Sequence, residues 1–165
     1  MKLTDYLAIY GAALSTLVFI WNASRSSPKV RVRLTFALET VNGLTRSGLG
    51  ISVQNPSSSV AHISNVSFVY PLRRVALYER IKHLLFYRRL PIWIGWCHSS
   101  LANFELEDGC PTSIEPAKSH WIFVPGDVVE RVFADALERK VVVEVQDALW
   151  RNKHSKAFAY PTKQK

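Results

Sequence analysis

From Tyr6 to Trp21 the chain reads YLAIYGAALSTLVFIW, sixteen residues without a charge in which only Ser15 and Thr16 are strongly polar. The run is apolar all around a helix, with no polar stripe to face water beside a soluble core. A helix that crosses a bilayer takes about 17–25 residues. Leu3 and Thr4 lengthen the run. Asp5 interrupts it at headgroup level, where a carboxylate also suits a helix N-terminus. Tyr6 and Trp21 fall where the two interfaces would lie. These features predict a transmembrane anchor over residues 1–24. Two other readings fit parts of the run. A cleaved signal peptide accounts for Lys2 and the apolar stretch, but Trp21-Asn22-Ala23-Ser24-Arg25 offers no clean small-x-small cleavage site. A buried core helix accounts for the apolarity alone. Ala8, Gly11, Ala12 and Ser15 include two small-xxx-small spacings, which would let two anchors approach and form a homo-oligomer.

After a polar linker at 25–28, closed by Pro28, the period changes to two. Val30, Val32, Leu34, Phe36 and Leu38 alternate with Arg31, Arg33, Thr35 and Ala37, which predicts a strand over Lys29 to Thr40 with one buried face. Asn42-Gly43 marks a turn. Further strands are expected at Leu49 to Asn55, Val60 to Tyr70 with a phase change between Ile63 and Val66, Trp121 to Val124, and Val141 to Val145. A turn at Asp147 to Asn152 then leads to a closing hairpin strand at Lys153 to Tyr160. Asp127-x-x-Glu130 has the spacing of a capping box and would open a helix over Val128 to Glu138. Short strands separated by turn signals make residues 29–165 a mainly β domain, an antiparallel β-sandwich with one or two short accessory helices.

One segment breaks the strand pattern. Leu72 to Leu90 reads LRRVALYERIKHLLFYRRL between Pro71 and Pro91. Leu77, Tyr78, Ile81, Leu84 and Leu85 recur at helical spacings among six basic residues and one acid, Glu79. This is a basic amphipathic helix, inserted at about 72–90. It either covers an edge of the sandwich or lies in a lipid interface, its apolar residues in the acyl boundary and its arginines on phosphates. The following Ile92-Trp93-Ile94-Gly95-Trp96 is either a core strand or an exposed contact surface. The candidate contact residues are Arg73, Arg74, Arg80, Lys82, Phe86, Tyr87, Arg88, Arg89, Trp93 and Trp96. The anchor is represented by Tyr6, Gly11, Ser15 and Trp21.

The charge distribution supports a membrane setting. The 165 residues carry a formal +8, but residues 1–90 hold twelve Lys and Arg against three acids, and 91–165 hold nine against ten. Arg25, Lys29, Arg31 and Arg33 follow the apolar run with no acid before Glu39. The positive-inside rule then places the N-terminus outside and the domain in the cytoplasm. The basic cluster would also suit nucleic acid, but no nucleic-acid motif accompanies it, and nucleic acid is not expected as a partner.

KVRVRLTFAL, ISVQNPSSSVAHISNVSFVY, SIEPAKSHWIFV and VVVEVQDALWRNKHSKAF, set behind an apolar helix with a basic exit, resemble a group of small bacterial single-pass proteins with an immunoglobulin-like β-sandwich. The resemblance spans about two-thirds of the chain and departs from the pattern between Leu72 and Leu101. It implies an anchored immunoglobulin-like domain at the bacterial inner membrane and no activity.

Candidate chemistry is sparse. Cys97, His98, Cys110 and His120 lack the paired spacing of a zinc site. Neighbouring strand residues face opposite ways, so Cys97 and His98 make a poor nucleophile–base pair. A Cys97–Cys110 disulfide would need an oxidising compartment. Glu105, Glu107 and Asp108 read as a solvated loop, with calcium or a basic partner as the other reading. Asn22 and Asn65 head glycosylation patterns that matter only in a secretory pathway. No P-loop, Rossmann fingerprint or hydrolase elbow is present. The expectation is a non-enzymatic, membrane-tethered interaction or scaffold protein without cofactor or metal, partnered by the bilayer and by a protein. The alternatives are an extracytoplasmic ligand- or envelope-binding domain on the same anchor, and a small accessory subunit of a larger membrane complex.

Overall fold

The computed structural model describes residues 3–26, 29–41, 43–88, 92–104, 106 and 109–161. The apolar leader forms one helix, α1 (Leu3–Ser26). Within it, Thr4–Asn22 is long and apolar enough to cross a membrane, and none of it is buried. Nineteen residues rise about 28 Å, close to a hydrocarbon core of ~30 Å. The hydroxyl of Thr16 donates to the Ala12 carbonyl at 2.8 Å, so that polar group is satisfied within the helix. Nothing approaches the position a Cβ would take on Gly11. The helix outruns the expected anchor by two residues, because Ala23-Ser24-Arg25-Ser26 contains no breaker. Ser27 and Pro28 lie outside the described residues.

The domain consists of two antiparallel sheets. The first orders β1 (Arg31–Val41), β2 (Leu44–Gln54) and β6 (Ser119–Pro125). Gly43 turns β1 into β2 at φ +78°, and Val41 pairs with Leu44. β2 starts five residues before the expected Leu49, because the hairpin ladder runs on past the core through exposed Thr45 and Arg46. Gly48 and Gly50 face out of this sheet. A Cβ on Gly50 would fall 2.1 Å from the Trp121 ring, and one on Gly48 would fall 2.8 Å from the Phe123 ring. The two aromatics of β6 thus lie flat over the glycines of β2, covering backbone that no side chain shields.

In the second sheet β3 (Ala61–Pro71) lies beside β7 (Lys140–Asp147). The far edge of β3 is shared by β5 (Thr112–Ile114) and β4 (Trp96–Ser100), and that of β7 by β8 (Asn152–His154) and β9 (Phe158–Ala159). The register slips between Ile63 and Asn65, where the sequence changes phase. The expected closing strand is broken in two. Ser155 puts its hydroxyl on the Val143 amide at 2.9 Å in place of a main-chain carbonyl, and the ladder resumes only at Phe158.

One core lies between the sheets. Leu49, Ile51, Val53, Ile122 and Val124 meet Val66, Phe68, Val141, Val143 and Val145, all buried. α3 (Gly126–Phe133) adds Val128, Val129, Val132 and Phe133. It begins one residue before Asp127, with Pro125 as N-cap, so the capping box does not form. Asp127 instead sits in the first turn, where its charge favours the dipole, and reaches Arg131 at 3.6 Å. Glu130 turns to Arg139, whose guanidinium also lies over the Phe133 and Tyr160 rings. α3 ends at Phe133 rather than Glu138. Buried Asn55 binds the loop after β2: its amide donates to the carbonyls of Ser59 and Ile114 at 2.8 Å, and its oxygen accepts from the Ser57 amide and hydroxyl.

Candidate functional site

Pro71 of β3 pairs directly with Trp96 of β4, and the Gly95 carbonyl accepts from the amides of both Leu72 and Arg73, at 2.9 and 3.1 Å. Residues 72–95 are therefore the loop of one hairpin, drawn out into an excursion with a closed neck. Gly95 holds φ +78°, and a Cβ there would meet Val75 at 2.4 Å and the Arg73 carbonyl at 2.7 Å. The neck needs glycine both for its backbone conformation and for space.

Within the excursion lies α2 (Leu77–Tyr87). It starts five residues later than the expected Leu72, because the Leu72 and Arg73 amides are committed to Gly95 and Ala76 is extended at ψ 150°. It ends where Arg88 turns left-handed at φ 50°. None of its residues is buried. The half-exposed ones are Glu79 and His83, which line a crevice of about 490 Å³ against Ile94. Arg73 reaches Glu79 at 3.3 Å, and the His83 ring lies 4.7 Å from that of Tyr87. Glu79 and His83 thus face Arg73 and Ile94 of the same excursion, and Tyr78, Lys82, Phe86 and Tyr87 line the rest of the crevice. Leu77, Ile81 and Leu85 form the opposite side and are 73%, 50% and 73% exposed. Helical geometry sets Arg80 and Lys82 along the two margins of that apolar side. Phe86, Tyr87, Arg74 and Arg88 are exposed as well, and Arg89 lies outside the described residues. Leu77, Ile81 and Leu85 are thus left uncovered among the described residues.

The aromatic stretch behind α2 is not a core strand: Ile92 is exposed, and Trp93, Ile94 and Gly95 form a half-buried turn that leads into β4. Trp93 and Trp96 meet edge-on at 5.3 Å, and Trp93 stacks on His154 of β8 at 4.7 Å. Trp96 begins β4 on the outer side of the second sheet. Val69 and Val142 face that side and are nonetheless buried. The excursion therefore roofs the sheet's outer face. Beneath it Glu144 accepts from His154 at 2.7 Å and lies 3.7 Å from His98. The sequence carried a signal for this roof, since Val69 and Val142 break the apolar–polar alternation.

The remaining candidates are dispersed. Cys97 packs toward the core and His98 points the other way, while His120 belongs to the first sheet. Cys97 and Cys110 are both thiols, and burial pushes the Cys110 thiol up to about 11. Among the described residues no group of three or more His, Cys, Asp or Glu could hold a metal. Glu105, Glu107 and Asp108 lie outside the described residues. The Asn65 amide is engaged by the hydroxyls of Ser67 and Ser100.

No protein-family model matches the chain, and no curated protein matches it. Among solved structures, the X-ray structure of Northeast Structural Genomics Consortium target SoR45 is 10% identical and aligns over 85% of this chain and 92% of its own, at a TM-score of 0.32. That likeness is too slight to define a shared fold.

Proposed function

We propose that this chain is a membrane-tethered, non-enzymatic interaction module of the bacterial inner membrane. In this reading α1 crosses the bilayer with its N-terminus outside. An immunoglobulin-like domain lies on the cytoplasmic side, and α2 lies in the inner-leaflet interface as a second attachment. The observation that carries the reading is the exposed apolar side of α2, Leu77, Ile81 and Leu85, set between Arg80 and Lys82. An in-plane helix needs this arrangement to bury Leu77, Ile81 and Leu85 while Arg80 and Lys82 extend to headgroup phosphates. Each base close to an anionic surface adds about 1 kcal/mol. The tether supplies the rest, because a helix on an anchored domain meets lipid at high effective concentration.

The test is photo-crosslinking of the full chain carrying benzoylphenylalanine at Leu85 in native membranes. A lipid adduct is expected. A discrete protein adduct instead would replace the lipid-facing helix with a protein-docking one, as in an accessory subunit.

A further inference from the structure

We infer that the open seam between β1 and β8 is a binding site for phosphate-bearing anions, independent of what α2 touches. Among the described residues β1 is an edge of the first sheet, paired with β2, and β8 is an edge of the second. Two adjoining cavities, which share Val30, Arg31 and Lys153 as lining, lie along the gap between these edges. One stretch, of about 400 Å³, runs over Ile63 and Val145 between Lys29, Arg31 and Lys153. The next, of about 600 Å³, runs between Arg31 and Arg33 on one wall and Lys153 and Lys156 on the other. Lys153 stands opposite Val145, whose side chain enters the core, so the lysine projects from the core-facing side of its sheet into the groove.

Among the described residues lining the groove the one acid is Asp147, already held by Arg151 Nε at 2.7 Å and by the amides of Leu149 and Arg151. Arg151 is neutralised in the same contact. Among the described residues, Lys29, Arg31, Arg33, Lys153 and Lys156 form no ion pair. An inward lysine on an edge strand also guards against edge-to-edge pairing. Five exposed cations that line the two edges without an ion pair, Arg31 and Arg33 from the outward face of β1 and Lys153 from the inward face of β8, exceed what that protection needs. Arginine guanidinium matches phosphate oxygens through paired donors, and lysine adds a point charge. The site begins three residues beyond Ser26, within about 11 Å of chain from α1. A lipid headgroup and a soluble phosphate both meet its chemistry.

The experiment uses the full chain in nanodiscs and reads hydrogen exchange over residues 30–36 and 152–156. In zwitterionic discs, inorganic pyrophosphate is added; in a second arm the discs contain phosphatidylglycerol. Protection by pyrophosphate alone assigns a soluble ligand. Protection in anionic discs, with or without a pyrophosphate response, assigns the headgroup. Either supports the site. Arg33→Gln and Lys153→Gln should each weaken the protecting interaction about fivefold, whereas Arg46→Gln, which removes an equal charge at the hairpin tip, should leave it unchanged. Absence of protection in both arms, or equal weakening by Arg46→Gln, overturns the inference.

Discussion

The indole of Trp93 stacks on the imidazole of His154, ring centroids 4.7 Å apart and planes 22° from parallel. This contact fastens the returning end of the excursion, two residues before Gly95, to β8 at the opposite edge of the sheet from β4. Trp93→Ala should therefore loosen the roof without opening the hairpin. We expect a loss of about 1–2 kcal/mol in detergent-solubilised thermal unfolding, with faster proteolysis within 77–88, and near-complete retention in Trp93→Phe. Unchanged proteolysis in Trp93→Ala would show that the stack does not hold the excursion.

The neck is less tolerant. Gly95→Ala forces a Cβ against Val75 and the Arg73 carbonyl at a positive φ. A loss of at least about 2 kcal/mol is expected, read as a lowered melting temperature together with accelerated hydrogen exchange at Leu72 and Arg73.

Asn55→Ala removes the donor for two carbonyls and the acceptor for Ser57 inside a buried loop. Leaving those groups unpaired should cost about 2–4 kcal/mol. Asn55→Asp should be at least as damaging, since a carboxylate would face the carbonyls of Ser59 and Ile114.

Two groups set opposite limits on the pH range of stability. Burial alone would raise the Asp147 carboxyl, but donors from Arg151 and the Leu149 amide outweigh it and hold the group below its ordinary value. Its contribution is present above the usual carboxylate range and fades as pH falls through the depressed value. Asp147→Asn should lower the melting temperature at pH 7, and the difference from the unsubstituted chain should shrink as pH falls below the usual carboxylate range. Cys110 acts in the other direction. Its thiol is held near 11 against an ordinary 9.0, so its contribution is complete below pH 9 and fades as pH rises from 9 to 11. At pH 8 its alkylation should be at least about tenfold slower than that of free cysteine. Equal rates would mean that Cys110 is not shielded as described.

Topology is open to direct measurement. A fluorescent protein fused after Lys165 should mature and emit, and an alkaline phosphatase at the same place should stay inactive. The reverse pair would place the domain outside the cytoplasm.

Local rules were enough to locate much of this molecule. Sixteen uncharged residues specify a helix because nothing in them satisfies the backbone differently. Val30 to Leu38 specify a half-buried strand because a period of two presents one face to a core. The phase change near Ile63 was visible for the same reason. Tertiary structure decided the remainder. Whether α2's apolar face turns inward depends on the Gly95 neck and the Glu79–Arg73 contact, which join residues by hydrogen bonding and charge rather than by periodicity. The cations of the groove come from Lys29 to Arg33 and from Lys153 to Lys156, more than a hundred positions apart, and only the pairing of strands into two sheets brings those edges together. Periodicity reports which face of an element is apolar. What that face meets is set by long-range packing, which one stretch of sequence does not encode.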